Sequence, residues 1–273
     1  MRTWFNNFWY ITLPSRGLYA QQQVLFEDET CRVTLLNMGA YDDGDDKQDI
    51  CVSLKVENLS DAFIYPRLQG LMLDGVFREA SGGPTYVHPG CTTYYAVRLN
   101  HEELERAGLT SIRTAEVVMR FDRNYTILGL GGFAAIEQYP VKLSKAGTGS
   151  CLPTGGKLMF DEYDVRIYLL GYEEDDWGND WYVLVENDSD MDIDLTAVNC
   201  IINGEKISDE SFNNAAIYEG QVPDHGKTVA RFSMIHFGEL DLESMSFDIL
   251  IYDFTQQKVL HKGNTRIELV VSE

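Results

Sequence analysis

The sequence predicts an all-β protein built from two tandem antiparallel β-sandwiches. First, one phrase occurs twice, as "GDDKQDICVSLKVENLSD" at residues 44–61 and as "EDDWGNDWYVLVENDSD" at residues 174–190. Second, apolar and polar residues alternate within the phrase, which is the period of a strand with one buried face. Third, the chain contains Asp74-Gly75 and Asn203-Gly204, dipeptides that favour the tight turn of a β-hairpin. The repeat indicates two modules, and the alternation and the turns indicate strands.

The composition fits a globular chain and excludes several classes of partner. The chain has 273 residues, of which 44% are hydrophobic, enough to bury two cores. Its formal net charge of −21 makes nucleic acid and anionic membranes poor partners, because both require clustered Lys and Arg. No apolar run has the length of a membrane span, so membrane insertion is not predicted. The N-terminus has no signal-peptide pattern.

The repeat extends outward from Glu57-Asn58 and Glu186-Asn187, which set a period of about 130 residues. Residues 23–36 match residues 157–170, and the regions around both hairpin dipeptides and two later strands also match. We therefore predict four parts: an N-terminal segment (1–22), module 1 (23–143), a Gly- and Ser-rich linker (144–156) and module 2 (157–273).

The elements within a module follow from short-range signals. About seven strands in some 120 residues are typical of an immunoglobulin-like sandwich. Module 1 also contains "NHEELERAG" at residues 100–108, which predicts a short helix with an Asn cap, a capping-box Glu103 and a terminal Gly. The matching region of module 2 predicts only a turn. "FWYITLPS" at residues 8–15 has the pattern of a strand that either closes a preceding copy or pairs with module 1.

These residues resemble the tandem Ig-like modules of bacterial, often clostridial, envelope-associated proteins of unassigned function. The resemblance covers about residues 23–271 and is carried by an aromatic-acidic opening strand, a Glu-Asn-x-Ser ending, an Asn-Gly or Asp-Gly hairpin and a later Gly-Lys pair. Module 2 matches at Phe160-Asp161, Glu186-Asn187, Asn203-Gly204 and Gly226-Lys227, whereas module 1 has Gly90-Cys91 in place of Gly-Lys. The resemblance implies the fold and a surface location, and it brings no catalytic residues.

The repeated Asn residues have a structural interpretation. Asn58 and Asn187 stand where a strand turns, and an Asn side chain bonds backbone two residues on; Ser60 and Ser189 do the same more weakly. Both Asn residues also begin Asn-x-Ser triplets, the acceptor pattern for N-glycosylation. The turn suffices to explain the triplets, so we predict unmodified side chains.

Metal, disulfide and catalytic chemistry have little support. The acidic lead-ins form weak calcium candidates at Asp45, Asp46, Asp175 and Asp176, but their spacing is not that of an EF-hand, and solvated loops are the favoured interpretation. The five cysteines do not match between the modules, which favours free thiols, with a Cys31–Cys51 bridge left open. No nucleophile lies in a motif that places it beside a base. We predict no cofactor, no metal and no catalysis.

The modules differ most on one strand face. Module 1 has Phe63, Tyr65 and Arg67 on the outward face of the strand after the Asn turn, where module 2 has Asp192, Asp194 and Thr196. Conversely, the outward Ser53 and Lys55 of module 1 become Tyr182 and Leu184 in module 2. Side chains that change between matched modules are released from the common fold, so these five are the candidate contact residues: Phe63, Tyr65, Arg67, Tyr182 and Leu184.

The sequence thus predicts non-enzymatic binding or spacer modules of a bacterial surface or envelope protein that contact protein or glycan. The alternative is a carbohydrate-binding module pair of a larger secreted enzyme, because aromatic side chains on a flat sheet stack on sugar rings. An extracellular or cell-surface location is expected from the resemblance, and the cytoplasm stays open. The sequence carries no signal for the oligomeric state.

Overall fold

The computed structural model describes residues 15–42, 48–80, 86–123, 136–144, 146–150, 153, 156–175, 178–206, 215–218, 220–235, 243–253 and 258–270. The chain divides into two compact units, Met1–Leu152 and Pro153–Glu273. The structure is almost all β, as the alternating pattern predicts.

Unit 1 has nine described strands and one short helix. They are β1 (Ser15–Ala20), β2 (Gln23–Glu27), β3 (Cys31–Asp42), β4 (Gln48–Asn58), β5 (Ile64–Leu73), β6 (Val76–Glu79), β7 (Thr92–Leu99), α1 (His101–Arg106), β8 (Ala115–Arg123) and β9 (Ile136–Val141).

The strands of unit 1 form two antiparallel sets. In the first, the order is β1-β3-β4-β7, and β2 also pairs with β3. In the second, β6, β5, β8 and β9 pair in that order. The strand β1 begins where the predicted N-terminal strand of residues 8–15 ends, and it pairs with β3. Residues 1–14 lie outside the described residues.

Unit 2 has ten described strands. They are β10 (Lys157–Glu162), β11 (Val165–Asp175), β12 (Gly178–Asn187), β13 (Ile193–Ile202), β14 (Glu205–Lys206), β15 (Ala215–Tyr218), β16 (Gln221–Val222), β17 (Lys227–Ile235), β18 (Ser244–Asp253) and β19 (Lys258–Val270).

The pairing in unit 2 follows the order of unit 1. The strands β10, β11, β12 and β17 pair in that order, with β15 on β17. The second set is β14-β13-β18-β19, with β16 on β13. Side chains from both sets meet in one core cluster, which includes Trp181 and Val183 from β12 and Phe247 and Ile249 from β18. This arrangement is compatible with a β-sandwich.

The two predicted hairpins have the expected turn geometry. Asp74 and Gly75 have φ angles of 50° and 82°, and Asn203 and Gly204 have 48° and 82°. Positive φ at both central residues is the requirement of the tight turn that suits the twist of paired strands. Each turn also binds the backbone where a third strand begins. Asp74 Oδ1 accepts from the N–H groups of Arg113 and Thr114, just before β8. Asn203 Oδ1 accepts from those of Glu243 and Ser244, at the start of β18.

The helix of module 1 is confirmed. Asn100 caps α1 by accepting from the Glu102 N–H at 2.8 Å, and Gly108 follows the helix at a φ of +71°. The Glu103 carboxylate lies 3.4 Å from a guanidinium nitrogen of the buried Arg78. The turn expected at residues 235–244 of module 2 lies mostly outside the described residues.

The strand β4 is covered on both faces near its start, unlike the half-exposed strand that the alternation predicts. Ser53 is 1% exposed and Cys51 is buried. The helix α1 lies against β4, and Asp49 on this strand accepts hydrogen bonds from the His101 N–H and the Arg98 guanidinium. Burial raises the pKa of the Cys51 thiol to about 11. The alternation within β4 depends on local sequence, so it could not predict that α1 packs over the outer face of this strand.

No disulfide is present among the described cysteines: Cys31, Cys51 and Cys200 are buried and Cys91 is exposed. The Cys31–Cys51 bridge is wrong for a geometric reason. Cys31 pairs with Asn58 and Cys51 with Gly39 on the β3–β4 ladder, which separates the two cysteines by about 23 Å at about 3.3 Å per residue. Cys151 lies outside the described residues.

The predicted linker is held against unit 1 over part of its length. The Gly147 and Gly149 N–H groups donate to the carbonyls of Ile112 and Ser111. The Ser150 N–H and hydroxyl donate to Asp74 Oδ2 at 2.7 and 2.6 Å. The last residues of unit 1 therefore bind the same Asp74 that closes the β5–β6 hairpin.

Candidate contact surface

An Asn side chain fixes the backbone where β4 turns toward β5. The Asn58 amide is 1% exposed, and its Oδ1 accepts from the Ser60 N–H at 3.0 Å and the Ser60 hydroxyl at 2.8 Å. Its Nδ2 donates to the carbonyls of Ala62 at 2.7 Å and Val87 at 2.8 Å. The predicted turn is confirmed, and it also holds the segment around Val87.

Unit 2 repeats this arrangement around a completely buried Asn187. Its Oδ1 accepts from the Ser189 N–H at 3.1 Å and the Ser189 hydroxyl at 2.7 Å. Its Nδ2 donates to the carbonyls of Met191 and Pro223 at 2.7 and 2.9 Å. In each unit the Nδ2 group donates to two backbone carbonyls, so the Asn-x-Ser triplets at Asn58 and Asn187 are explained by the turns that they stabilise. The sequence has a further acceptor triplet, Asn124-Tyr125-Thr126, which lies outside the described residues.

The backbone beside these turns corrects the matching of the modules by one residue. The Asn58 N–H donates to the Cys91 carbonyl, and the Asn187 N–H donates to the Gly226 carbonyl. Glu57 pairs with Thr92 as Glu186 pairs with Lys227. Cys91-Thr92, not Gly90-Cys91, therefore stands where unit 2 has Gly226-Lys227.

Just after the Asn58 turn, Phe63, Tyr65 and Arg67 lie on one face at the start of β5. These three side chains are half-buried, whereas Ile64, Pro66 and Leu68 between and beside them are buried. We call these three residues the β5 stripe. Tyr95 on β7 of the other sheet donates its hydroxyl to the Pro66 carbonyl, and burial raises the pKa of that hydroxyl. This cross-sheet bond holds the backbone beneath the stripe.

Two more aromatic side chains join the stripe from a neighbouring segment. Val87 forms a bridge with Ile64, with backbone bonds of 3.3 and 3.0 Å in the two directions. The Phe63 and His88 rings are 4.7 Å apart and tilted by 59°, and the Tyr65 and Tyr86 rings are 5.0 Å apart and tilted by 44°. Tyr86 is 46% exposed. The result is a platform of two ring pairs.

A second arginine lies beside the ring pairs. Arg67 on β5 is directly opposite Arg120 on β8, and opposite residues of an antiparallel pair point to the same face. Both arginines are half-buried. Glu79 lies close to Arg67: burial raises the pKa of the Glu79 carboxyl above its usual range, and the Arg67 charge opposes that rise.

Sequence reasoning missed Tyr86, His88 and Arg120. A signal for the first two is present, because "TYVH" at residues 85–88 alternates around an inward Val87 as a short strand does. Arg120 becomes a neighbour of Arg67 only through the β5–β8 register, which a local pattern does not give. We name the enlarged set, Phe63, Tyr65, Arg67, Tyr86, His88 and Arg120, the aromatic-arginine platform.

The candidates of unit 2 lie together on the outer face of β12. Trp181, Val183 and Val185 belong to the core cluster, which leaves Tyr182 and Leu184 on the opposite face. The Tyr182 hydroxyl donates to Glu173 at 3.0 Å, and Leu184 is only 7% exposed. Tyr182 thus has a local partner, and Leu184 is not a free apolar surface.

The weak calcium candidates fall at the limits of the described residues. Asp45, Asp46 and Asp176 lie outside them, and Asp175 ends β11 without a described side chain. Among the described residues, no three His, Cys, Asp or Glu side chains group as ligands for a metal ion. No helix in the described part of the chain is long and apolar enough to cross a membrane.

Comparisons with known proteins give only distant likenesses. No family model matches the chain, and no curated protein matches it. Among solved structures, a conserved domain protein from Bacillus anthracis aligns at 10% identity over 97% of this chain and 96% of that chain, with a TM-score of 0.29. The CupB2 chaperone of Pseudomonas aeruginosa aligns at 12% identity over 81% of this chain and 92% of that chain, with a TM-score of 0.22. At these scores neither likeness bears on function.

Proposed function

We propose that the chain is a pair of Ig-like β-sandwich modules that act as non-enzymatic binding or spacer modules of a bacterial surface or envelope protein. Its contacts are with protein or glycan, and they are made chiefly through the β5 stripe of module 1. We propose an extracellular or cell-surface location because the sequence resembles envelope-associated tandem modules.

The observation that carries this proposal is the partial exposure of two aromatic pairs on one sheet face. Aromatic rings provide large contact areas at little cost in side-chain entropy, and Tyr and Arg are enriched at the centres of protein interfaces. The stripe is also supported from beneath, since Tyr95 holds the Pro66 carbonyl between Tyr65 and Arg67. A supported, half-exposed platform is suited to binding because little order is lost on contact.

The second candidate, a carbohydrate-binding module pair of a larger secreted enzyme, draws on the same ring pairs. Flat sheet faces that present several aromatic rings suit the apolar faces of sugars. The two candidates differ in the partner and not in the contact residues, so one set of variants serves both.

Replacing both Phe63 and Tyr65 with Ser tests the proposal. We expect binding to envelope glycans or envelope proteins to be lost, while the protein stays folded and loses about 1–2 kcal/mol of stability with its two ring pairs. Binding is measured by pull-down and calorimetry, and stability by urea denaturation. The matched control replaces Val24 and Tyr94, which are 54% and 42% exposed away from the stripe, with Ser.

The control variant should keep both binding and stability. A Phe63→Ser, Tyr65→Ser protein that binds every partner as well as the parent does would rule out the β5 stripe as the contact surface. If the control variant loses binding to the same extent, removing any exposed apolar side chain weakens binding. That result would also count against the β5 stripe as the specific contact surface.

A further inference from the structure

We propose that the strand β7 of unit 1 (Thr92–Leu99) pairs antiparallel with β7 of a second copy of the chain, so that two copies associate through one two-fold contact. The strand belongs to the other sheet of unit 1 from the β5 stripe, so this contact is independent of the proposed function. The second copy is the partner because β7 is complementary to itself in shape and charge.

The strand β7 lies at the end of its sheet. The order of the described strands is β1-β3-β4-β7, and all eight residues of β7 pair with β4 without a register shift. No strand among the described residues pairs with the other side of β7. This side is therefore an open edge, and an open edge presents N–H and C=O groups that can bond to another strand.

The register identifies the backbone groups at this edge. The Asn58 N–H donates to the Cys91 carbonyl just before β7, and the pairs that exchange bonds occur at every second residue of an antiparallel ladder. The odd-numbered residues of β7 therefore bond to β4. The outward N–H and C=O groups belong to Thr92, Tyr94, Ala96 and Arg98. Tyr94 is 42% exposed, so the edge is accessible.

The matched edge of unit 2 is occupied by a strand. The strand β17 corresponds to β7, because each pairs with the strand that ends in the buried Asn. The strand β15, with the sequence AAIY, pairs antiparallel with β17 at Arg231 and Ser233. By the same register these two residues match Ala96 and Arg98 of β7. This edge of the fold thus accepts an antiparallel strand, and the described part of unit 1 provides none.

The sequence of β7 suits pairing with itself. It reads TTYYAVRL and contains no acidic residue, although the chain has 43. In a two-fold pairing centred on Tyr95, Tyr94 lies opposite Ala96, so that an aromatic ring of one copy covers a small residue of the other. Thr92 then lies opposite Arg98, and no two like charges, which would destabilise the pair, are directly opposite. The outward groups of the two strands would form about eight backbone hydrogen bonds.

The net charge of −21 opposes the approach of two copies. This repulsion is screened beyond about 8 Å at physiological ionic strength. The contact itself consists of backbone hydrogen bonds and contains Arg98 as its one charged residue, so salt screens the repulsion and leaves the attraction. The dimer should therefore strengthen as salt is added, whereas an ion-paired interface would weaken.

Sedimentation equilibrium of the full chain tests the inference. From roughly 1 µM to roughly 1 mM protein, the mass should rise from that of a monomer to that of a dimer. Ala96→Pro should weaken the dimer about tenfold or more, because proline has no N–H to donate at the edge. The β4 ladder stays intact, since the Ala96 N–H does not bond to β4.

A lysine variant tests the same edge without a backbone change. Lysine is a residue that keeps edge strands apart, so Tyr94→Lys should also weaken the dimer about tenfold. Val24→Lys is the matched control, because Val24 is 54% exposed on β2 and the change adds the same charge away from β7. This control should dimerise at least as well as the parent. Thermal melts confirm that each variant is folded.

Amide hydrogen exchange locates the contact on β7. Exchange at Tyr94 and Ala96 should slow between dilute and concentrated protein, because these amides become bonded only in the dimer. Exchange at Tyr95 and Val97, whose amides bond to β4, should be slow at both concentrations.

Three results would overturn the inference. The first is a chain that stays monomeric over this concentration range in salt. The second is a dimer that both edge variants leave unchanged, since its contact would lie elsewhere. The third is growth beyond the dimer, which indicates a head-to-tail contact in place of a two-fold one.

Discussion

Asn58 and Asn187 show how much of a turn one buried side chain can hold. Each amide accepts two bonds from a Ser two residues ahead and donates to carbonyls both nearby and more than 25 residues away. The amide is suited to this position because it has acceptor and donor groups on one planar head. No other side chain of the same size offers both.

An isosteric change isolates the donor half of this amide. Asn58→Asp should lower the free energy of unfolding by about 2–4 kcal/mol, because a buried carboxylate then faces the carbonyls of Ala62 and Val87 without a hydrogen to donate. Urea denaturation at pH 7 measures the loss, and acidification to about pH 4 should recover part of it by protonating the carboxyl. Asn100→Asp is the control, since Asp caps a helix as well as Asn does. A loss below about 0.5 kcal/mol for Asn58→Asp would contradict the assigned role.

The bonds of Asn58 to nearby residues could be predicted from the sequence, whereas its bond to the distant Val87 carbonyl could not. The bond to Ser60 follows from a short-range rule about Asn side chains. The bond to the Val87 carbonyl depends on where residues 86–88 return to the sheet, which is a tertiary outcome. For the same reason Tyr86 and His88 were missing from the predicted surface while Phe63 and Tyr65 were found by their phase.

At the scale of elements, the β5–β6 and β13–β14 hairpins are the same turn with different side chains. Asp74 and Asn203 both hold the start of the next strand through Oδ1. Only Asp74 has a second acceptor oxygen, and that oxygen binds Ser150. The second carboxylate oxygen of Asp74 therefore adds a bond between the hairpin and the segment after β9, beside the bonds that Gly147 and Gly149 make to Ile112 and Ser111.

Asp74→Asn should loosen this segment at its Ser150 end and leave the hairpin in place. The Asn oxygen can still accept from Arg113 and Thr114, as Asn203 does in unit 2, but the Asn NH₂ group meets the Ser150 N–H as donor against donor. We expect a loss of about 1 kcal/mol and faster amide hydrogen exchange at Thr148–Ser150. Ser150→Ala should reproduce part of the effect. Unchanged exchange at these residues in Asp74→Asn would show that the attachment does not depend on this carboxylate.

The same attachment should depend on pH. Burial raises the pKa of the Asp74 carboxyl, but hydrogen bonds from Ser150, Thr114 and Arg113 outweigh it and hold the pKa below its usual range. A depressed pKa in the folded state contributes stability above the unfolded pKa of about 3.9, and this contribution is lost as the pH falls through the folded value. The Ser150 amide resonance should therefore titrate with a midpoint below about 3.9. A midpoint at or above that value would contradict the bonding.

At the scale of the whole molecule, the described core of unit 2 is self-contained. Its core cluster runs from Phe160 to Ile267 and draws on both of its strand sets. The repeat phrase predicted two modules because a fold that is encoded twice closes its core within each copy. The boundary was harder to predict, since the hydrogen bonds of residues 147–150 to unit 1 join loops that are far apart in sequence.

A fragment of residues 153–273 should therefore fold alone. We expect a dispersed amide spectrum, a near-UV circular dichroism signal from the buried Trp181 and cooperative urea unfolding. The matching fragment of residues 1–152 should unfold at higher urea than a fragment ending at Leu143, which lacks the Ser150–Asp74 bonds. A fragment of residues 153–273 with molten-globule spectra would contradict the independence of unit 2.

The buried Asn amides also govern how the protein should be produced. In a eukaryotic secretory host, Asn58-Leu59-Ser60 and Asn187-Asp188-Ser189 are offered to the glycosylation machinery while the chain is still being made. A sugar attached to Nδ2 removes one of the hydrogens that Asn58 donates to Ala62 and Val87, and its bulk has no room at a buried amide. Each modified chain would lose a turn in one unit, so expression in a bacterial host preserves the fold.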